Sequence, residues 1–147
     1  MIILGKQEKD VTDVRIASYG ILLNNEGKMA VVKHKNWGLI FPGGKKEKDE
    51  NGVETIKREV LEEIGYETSE FQFFETVEAF YDIIAKGQNY YCHLIADIYI
   101  GKILDKIQDP IESDTSLEWY SPCDLIDKLK LDYQNKILNI ILEKDLM

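Results

Sequence analysis

Apolar positions along the chain change their period several times. Between Gly52 and Ile64 they recur at helical spacing: at about 100° per residue, Val53, Ile56, Val60 and Ile64 share one stripe, and Glu59, Glu62 and Glu63 gather on another. Asn51 is placed to cap this helix by accepting from the Glu54 amide, with the Glu54 side chain reaching back, and Gly65 suits its exit. Upstream, Val14 to Leu23 and Lys28 to His34 are rich in Val, Ile and Leu. Asn24-Asn25-Glu26-Gly27 between them predicts a β-hairpin. A short strand is expected at Leu39 to Phe41, another at Ile2 to Leu4.

Downstream, Phe71 to Tyr81 and Tyr90 to Ile100 predict two more strands, joined by a loop with Lys86-Gly87-Gln88 at its tip. In the second, Cys92, Leu94, Ala96, Ile98 and Ile100 alternate with His93, Ile95, Asp97 and Tyr99, which sets Tyr91 and His93 on a more polar side. Gly101 to Ser116 reads as a polar loop and Leu117 to Tyr120 as a last strand. Ser121, with Pro122 at the first helical position, starts a short helix to about Leu129. Tyr133, Ile137, Ile140 and Ile141 then predict an amphipathic helix over 132–145. Strands first, a helix in the middle, more strands and terminal helices imply an α/β (α+β) fold whose mixed sheet is covered on both faces.

The length of 147 residues and a hydrophobic content of 44% predict a single domain, 1–147, with a core of its own. A formal charge of −9 argues against non-specific binding to nucleic acid or an anionic membrane. Cys92 and Cys123 form no CxxC pair, and no apolar run approaches the roughly 20 residues of a membrane span. A cytoplasmic protein with reduced thiols is the expectation.

Three glutamates at i, i+3 and i+4 repel one another, so a cation should sit against them. A magnesium-type ion prefers carboxylate and carbonyl oxygens, and Gly43-Gly44 lets backbone approach the same place. Glutamate-rich helix faces are usually just solvated. The wider spacing decides otherwise: Gly44, five residues, Glu50, seven residues, Arg58-Glu59-Val60, one residue, Glu62-Glu63, one residue, Gly65-Tyr66. This pattern, with Pro42 and Glu47 beside it, resembles the box of the Nudix hydrolases, MutT-like enzymes. Two positions depart from it, Asp49 where glycine is frequent and the aromatic Tyr66.

The resemblance implies a Nudix α/β/α sandwich and a divalent-metal-dependent hydrolase that cleaves a pyrophosphate linkage in a nucleoside diphosphate derivative. Magnesium, with manganese as substitute, would be held by Glu59, Glu62, Glu63 and the Gly44 carbonyl. Arg58 would brace the carboxylates with Glu50 as its partner. Glu59 is the first choice of base. Family members often add a carboxylate from a later loop, and Glu112 is the candidate here, Asp114 the next. Lys33, His34, Trp37 and Gly43 stand where a small nucleotide could be gripped, although Trp37 and His34 could equally be packing residues. Dimerisation is common in the family, but no stretch here specifies an interface. A catalytically inactive nucleotide-binding or regulatory module is the alternative, and a purely structural acidic helix a third possibility.

Overall fold

In the computed structural model, which describes residues 1–147, eight strands and three helices follow one another as β1 (Ile2–Leu4), β2 (Asp13–Leu23), β3 (Met29–His34), β4 (Gly38–Ile40), β5 (Gly43–Lys45), α1 (Gly52–Glu63), β6 (Tyr66–Ala85), β7 (Gln88–Lys106), β8 (Thr115–Tyr120), α2 (Pro122–Leu125) and α3 (Asp132–Glu143). The strands lie in the order β1-β6-β7-β2-β3-β4, with β5 paired to β2 and β8 to β3. β1 with β6 and β2 with β7 run parallel and the other pairs antiparallel, so the sheet is mixed.

β2 passes through the middle, and residues 17–22 are buried on both sides. Ala17, Tyr19 and Ile21 face a 17-residue apolar cluster that includes Leu125, Ile137, Leu138 and Ile141 of α2 and α3. Leu22 faces an eight-residue cluster with Ile56, Val60 and Ile64 of the α1 region. The period-2 alternation of one strand therefore feeds two cores, one under each helical layer.

The expected hairpin exists at its turn and then opens. Asn24 Oδ1 accepts from the amides of Glu26 and Lys28, Gly27 takes a φ of 75°, and Leu23 pairs with Met29. Beyond that pair the strands part, because β5 occupies the edge of β2 at Ala17–Tyr19 while β3 pairs with β4 and β8. Gly43 and Gly44 thus lie in a short strand rather than a loop. The stretch expected as a loop after Ile100 is strand as far as Lys106. Its pairing with β6 is interrupted by register shifts between Tyr66 and Thr68, Ser69 and Gln72, and Phe73 and Glu75. Those bulges break the alternation that marks a strand in sequence. Lys86-Gly87, both at positive φ, form a two-residue turn between Ala85 and Gln88, the usual geometry of a tight hairpin.

Helix ends also differ. The helix expected from Ser121 to Leu129 stops at Leu125, because Ile126 turns to an extended ψ of 133° and Asp127 takes a positive φ of 67°. On α1, Val53 is only half-buried and Thr55 is buried instead. No helix is long and apolar enough to cross a membrane.

Candidate active site

The α1 N-terminus forms as its sequence requires. Asn51 Oδ1 accepts from the Glu54 amide at 2.9 Å, and Glu54 Oε1 accepts from the Asn51 amide at 3.0 Å, a reciprocal cap that fixes the helix start. The segment before it is pressed against β2. At Gly43, with a φ of 134°, an added Cβ would lie 2.2 Å from the Ser18 carbonyl, so only glycine fits. At Gly44 a Cβ would lie 2.9 Å from the Glu59 carboxylate carbon, which puts this backbone directly against the α1 carboxylate face.

Arg58 organises that face. Its Nε and Nη2 donate to Glu50 Oε2 and Oε1 at 2.7 and 3.0 Å, a two-pronged pair. Nη1 reaches Glu59 Oε1 at 3.0 Å and Glu62 Oε2 at 3.3 Å, and Nη2 also donates to the Lys45 carbonyl at 3.1 Å. Glu50 further accepts from the Glu47 amide and the Thr55 hydroxyl. The Arg58 guanidinium, helped by these bonds, holds the Glu50 carboxyl down at about 2.

Neighbouring carboxylates behave in the opposite way. Burial raises Glu59 above the ordinary carboxylate range, Arg58 opposes that, and Glu62 and Glu112 add to it. Glu63 is only 5% exposed. Burial first, then the charge of Glu59, pushes it well above its usual value, and the Gly43 amide at 3.2 Å only partly compensates.

Glu112 reaches this cluster through the backbone of the α1 exit. The Glu62 carbonyl accepts from the amides of Ile111 and Glu112, and the Gly65 carbonyl from those of Ile107 and Gln108. The Thr115 hydroxyl donates to the Glu63 carbonyl at 2.7 Å. The loop over 107–114, with Thr115 at the start of β8, thus satisfies carbonyls that a helix end leaves without partners, and it carries Glu112 over the helix. As a result, carboxylate oxygens of Glu59, Glu62 and Glu112 lie within 4.8 Å of one another. Three hard oxygen donors this close, two of them part-buried, suit a hard divalent cation, although Arg58 already bonds two of them. Glu63, expected as a ligand, stands outside this triplet with its carboxylate turned to Gly43.

A cavity of about 840 Å³ opens onto the face. Glu59, Glu63, Glu112 and the backbone of Gly43 and Gly44 line one end. His34 and Trp37, their rings stacked at 4.6 Å, form part of its wall. Lys33, expected beside them, is outside the lining. Neighbouring strand residues face opposite ways, and its ammonium lies 3.6 Å from Glu118 instead. Asp114 also lines the cavity, outside the carboxylate triplet. His93 is bound to Glu78 at 2.9 Å and stacked on Phe80, outside the cavity lining, whereas Cys92 of the opposite strand phase lines it.

The other end of the cavity was not foreseen. It is walled by Asp13, Arg15, Tyr81 and Cys92; Tyr19 pairs with Gly43 and its hydroxyl reaches Arg15, linking the two ends, and Gln134 also lines the cavity. Gln134 is completely buried and accepts from the Phe41 amide at 2.9 Å, tying α3 to the strand before the glycines. The available signal was the phase of β2: Asp13 and Arg15 share the inward face of Ala17 and Tyr19, charged groups on a stripe that is otherwise core.

Comparison with known proteins identifies the family. The model of the NUDIX domain matches residues 14–139, most of the chain. The protein belongs to the Nudix family. Over 49 residues, one third of this Nudix chain, it is 49% identical to an 8-oxo-dGTP diphosphatase of Buchnera aphidicola subsp. Acyrthosiphon pisum. The counterpart from the subspecies Schizaphis graminum is 44% identical over 41 residues. These alignments span 40% and 32% of the two relatives. Among solved structures, a MutT from work on Aliivibrio salmonicida and Vibrio cholerae superimposes with a TM-score of 0.65 at 18% identity, covering 90% of this chain and 99% of that one. A point mutant of the Bacillus subtilis pyrophosphohydrolase RppH gives 0.63 at 24% identity, covering 87% and 78%. At such identities these two establish the shared Nudix fold.

Proposed function

We propose that this Nudix protein is a divalent-metal-dependent pyrophosphohydrolase, in which water attacks phosphorus in a nucleoside diphosphate derivative. The observation that carries the reading is the triplet of Glu59, Glu62 and Glu112 beside the Gly43-Gly44 backbone, at one end of a cavity large enough for a nucleotide. These carboxylates, with the Gly44 carbonyl, would hold magnesium or manganese. When bound, the ion would supply positive charge to the phosphates and acidity to a water.

The rest of the chemistry belongs to the chain. Arg58 fixes the rotamers of Glu50, Glu59 and Glu62 through its shared fork. Glu59 lines the cavity against the Gly44 backbone, which makes it the first choice to take the water's proton. His34 and Trp37 offer a flat aromatic wall to the nucleoside. Because the two Buchnera relatives are 8-oxo-dGTP diphosphatases, 8-oxo-dGTP is the first substrate to try. A module that binds without turnover would have no use for a complete set of Glu50, Glu59, Glu62 and Glu63, all retained here.

The decisive test is Glu62→Gln, confirmed folded by circular dichroism and assayed for magnesium-dependent release of phosphate, pyrophosphate and nucleotide. Loss of one stabiliser of transition-state charge should cost about 10²- to 10³-fold in rate, ~3–4 kcal/mol. Near-normal turnover by this variant would overturn the assignment.

A further inference from the structure

The end of the cavity remote from the carboxylates contains two charged groups that the chain itself leaves unmatched. Asp13 and Arg15 sit two residues apart on the same face of β2, and both line the cavity. Such neighbours would ordinarily pair, yet neither takes part in an ion pair. The one side-chain bond of Arg15 is a long one, 3.4 Å from Nε to the Tyr19 hydroxyl, leaving both terminal nitrogens without a protein partner. Asp13 meets only the Cys92 thiol, at 3.7 Å. That thiol is pushed up to about 11, chiefly by burial and then by Asp13, so it stays neutral beside the carboxylate.

The surroundings form a platform. Asp13, Cys92 and Tyr81 lie abreast on three adjacent strands. Arg15 is one step closer to the box along β2, whose Ser18 stands opposite Gly44. Three residues of strand at about 3.3 Å each separate Arg15 from that level, about 10 Å in all. That spacing suits a nucleotide whose α-phosphate lies at Gly44 and Glu59 and whose base reaches the platform.

We infer that Asp13 and Arg15 read the base edge of the substrate and select guanine. The inference rests on the reading that the phosphates lie against the box. A carboxylate only accepts, and its two oxygens match two N–H groups side by side. Guanine offers that pair at N1 and N2, with the O6 acceptor next to them for an arginine. Adenine, cytosine and uracil have no two adjacent N–H groups on this edge, so each would leave a carboxylate oxygen or the guanidinium without a partner in a partly buried place. Nothing in the box distinguishes bases; this pair does.

Calorimetric titration of the whole protein with GMP, AMP, CMP and UMP tests this directly, alongside kcat/KM for the four nucleoside triphosphates with magnesium. GMP and GTP should be preferred by about ten- to a hundredfold, the usual value of one good bidentate base contact. Asp13→Asn, whose amide donates where the carboxylate accepted, should lose that preference and gain affinity for xanthine nucleotides, which carry a carbonyl at C2. Arg15→Gln should raise KM for GTP with little change in kcat. Equal binding of the four monophosphates by the parent, or an unchanged guanine-to-xanthine ratio in Asp13→Asn, would overturn the inference. The two readings fail separately. Hydrolysis without base preference removes this one and leaves the hydrolase, whereas selective GMP binding without turnover supports this one and removes the hydrolase.

Discussion

The two faces of the sheet are held by different forces. Under α2 and α3, 17 buried apolar residues form one cluster. Under α1 the cluster has eight, and the outer side of that helix is tied down by Arg58 and its carboxylates instead. The first face gains from burial, which is non-directional and tolerant of small shifts. The second crowds like charges and keeps a carboxylate, Glu63, almost out of water, a locally unfavourable arrangement. Stability is therefore concentrated on the α3 side and chemistry on the α1 side, with β2 as the strand common to both.

The largest effect should come from cutting the apolar face. Ile137 is fully buried in the larger cluster, and Ile137→Ala removes three carbons with nothing nearby to fill the space, an expected loss of ~2–5 kcal/mol in urea unfolding. Turnover per folded molecule should stay near the parent value. A large fall in turnover with unchanged stability would show that the two faces are not separable in this way.

Gly65 probes the seam between α1 and the Glu112 loop. It has a φ of +78°, and an added Cβ would lie 2.0 Å from the Gln108 carbonyl oxygen. Gly65→Ala should cost ~1–3 kcal/mol from backbone strain and also displace the segment that carries Glu112. Activity should drop more than in Ile137→Ala even though stability drops less. The check is to measure both quantities on each variant.

The same contrast explains what could be read from the sequence. The α1 region is legible because its determinants are local: Asn51 and Glu54 three apart, Glu59 beside Arg58, glycines at fixed spacing. The pair of Glu50 with Arg58, eight residues apart, could be foreseen for the same reason. Arg15 and Asp13 left only the signal of two charges on the inward phase of β2, and what they face depends on β7 and β6 arriving beside them from about 80 residues away in the chain. The long hairpin is hard to read at its bulges, where alternation fails. Lys33 and His34 are adjacent in sequence, but strand phase sends them to opposite sides of the sheet, and only His34 meets the cavity.

The smallest effect concerns acid. Glu50 is held at about 2 in the folded protein, chiefly by its bonds to Arg58, against an ordinary value of 4.5. A carboxyl with a lowered folded value favours the folded state wherever it is ionised in both states, and that contribution disappears once it must be protonated. The Arg58–Glu50 pair should therefore contribute fully above about pH 4.5 and lose its contribution as pH falls towards 2. Glu50→Gln should lower the urea midpoint at pH 6, with the difference from the parent shrinking steadily between about pH 4.5 and 2. Because Arg58 also reaches Glu59 and Glu62, part of the pairing survives in the variant, so the shift should be smaller than that of either substitution above. A difference between parent and variant that is constant across this window would mean that Glu50 does not draw its ionisation from Arg58, and that the fork organises the carboxylate face by shape alone.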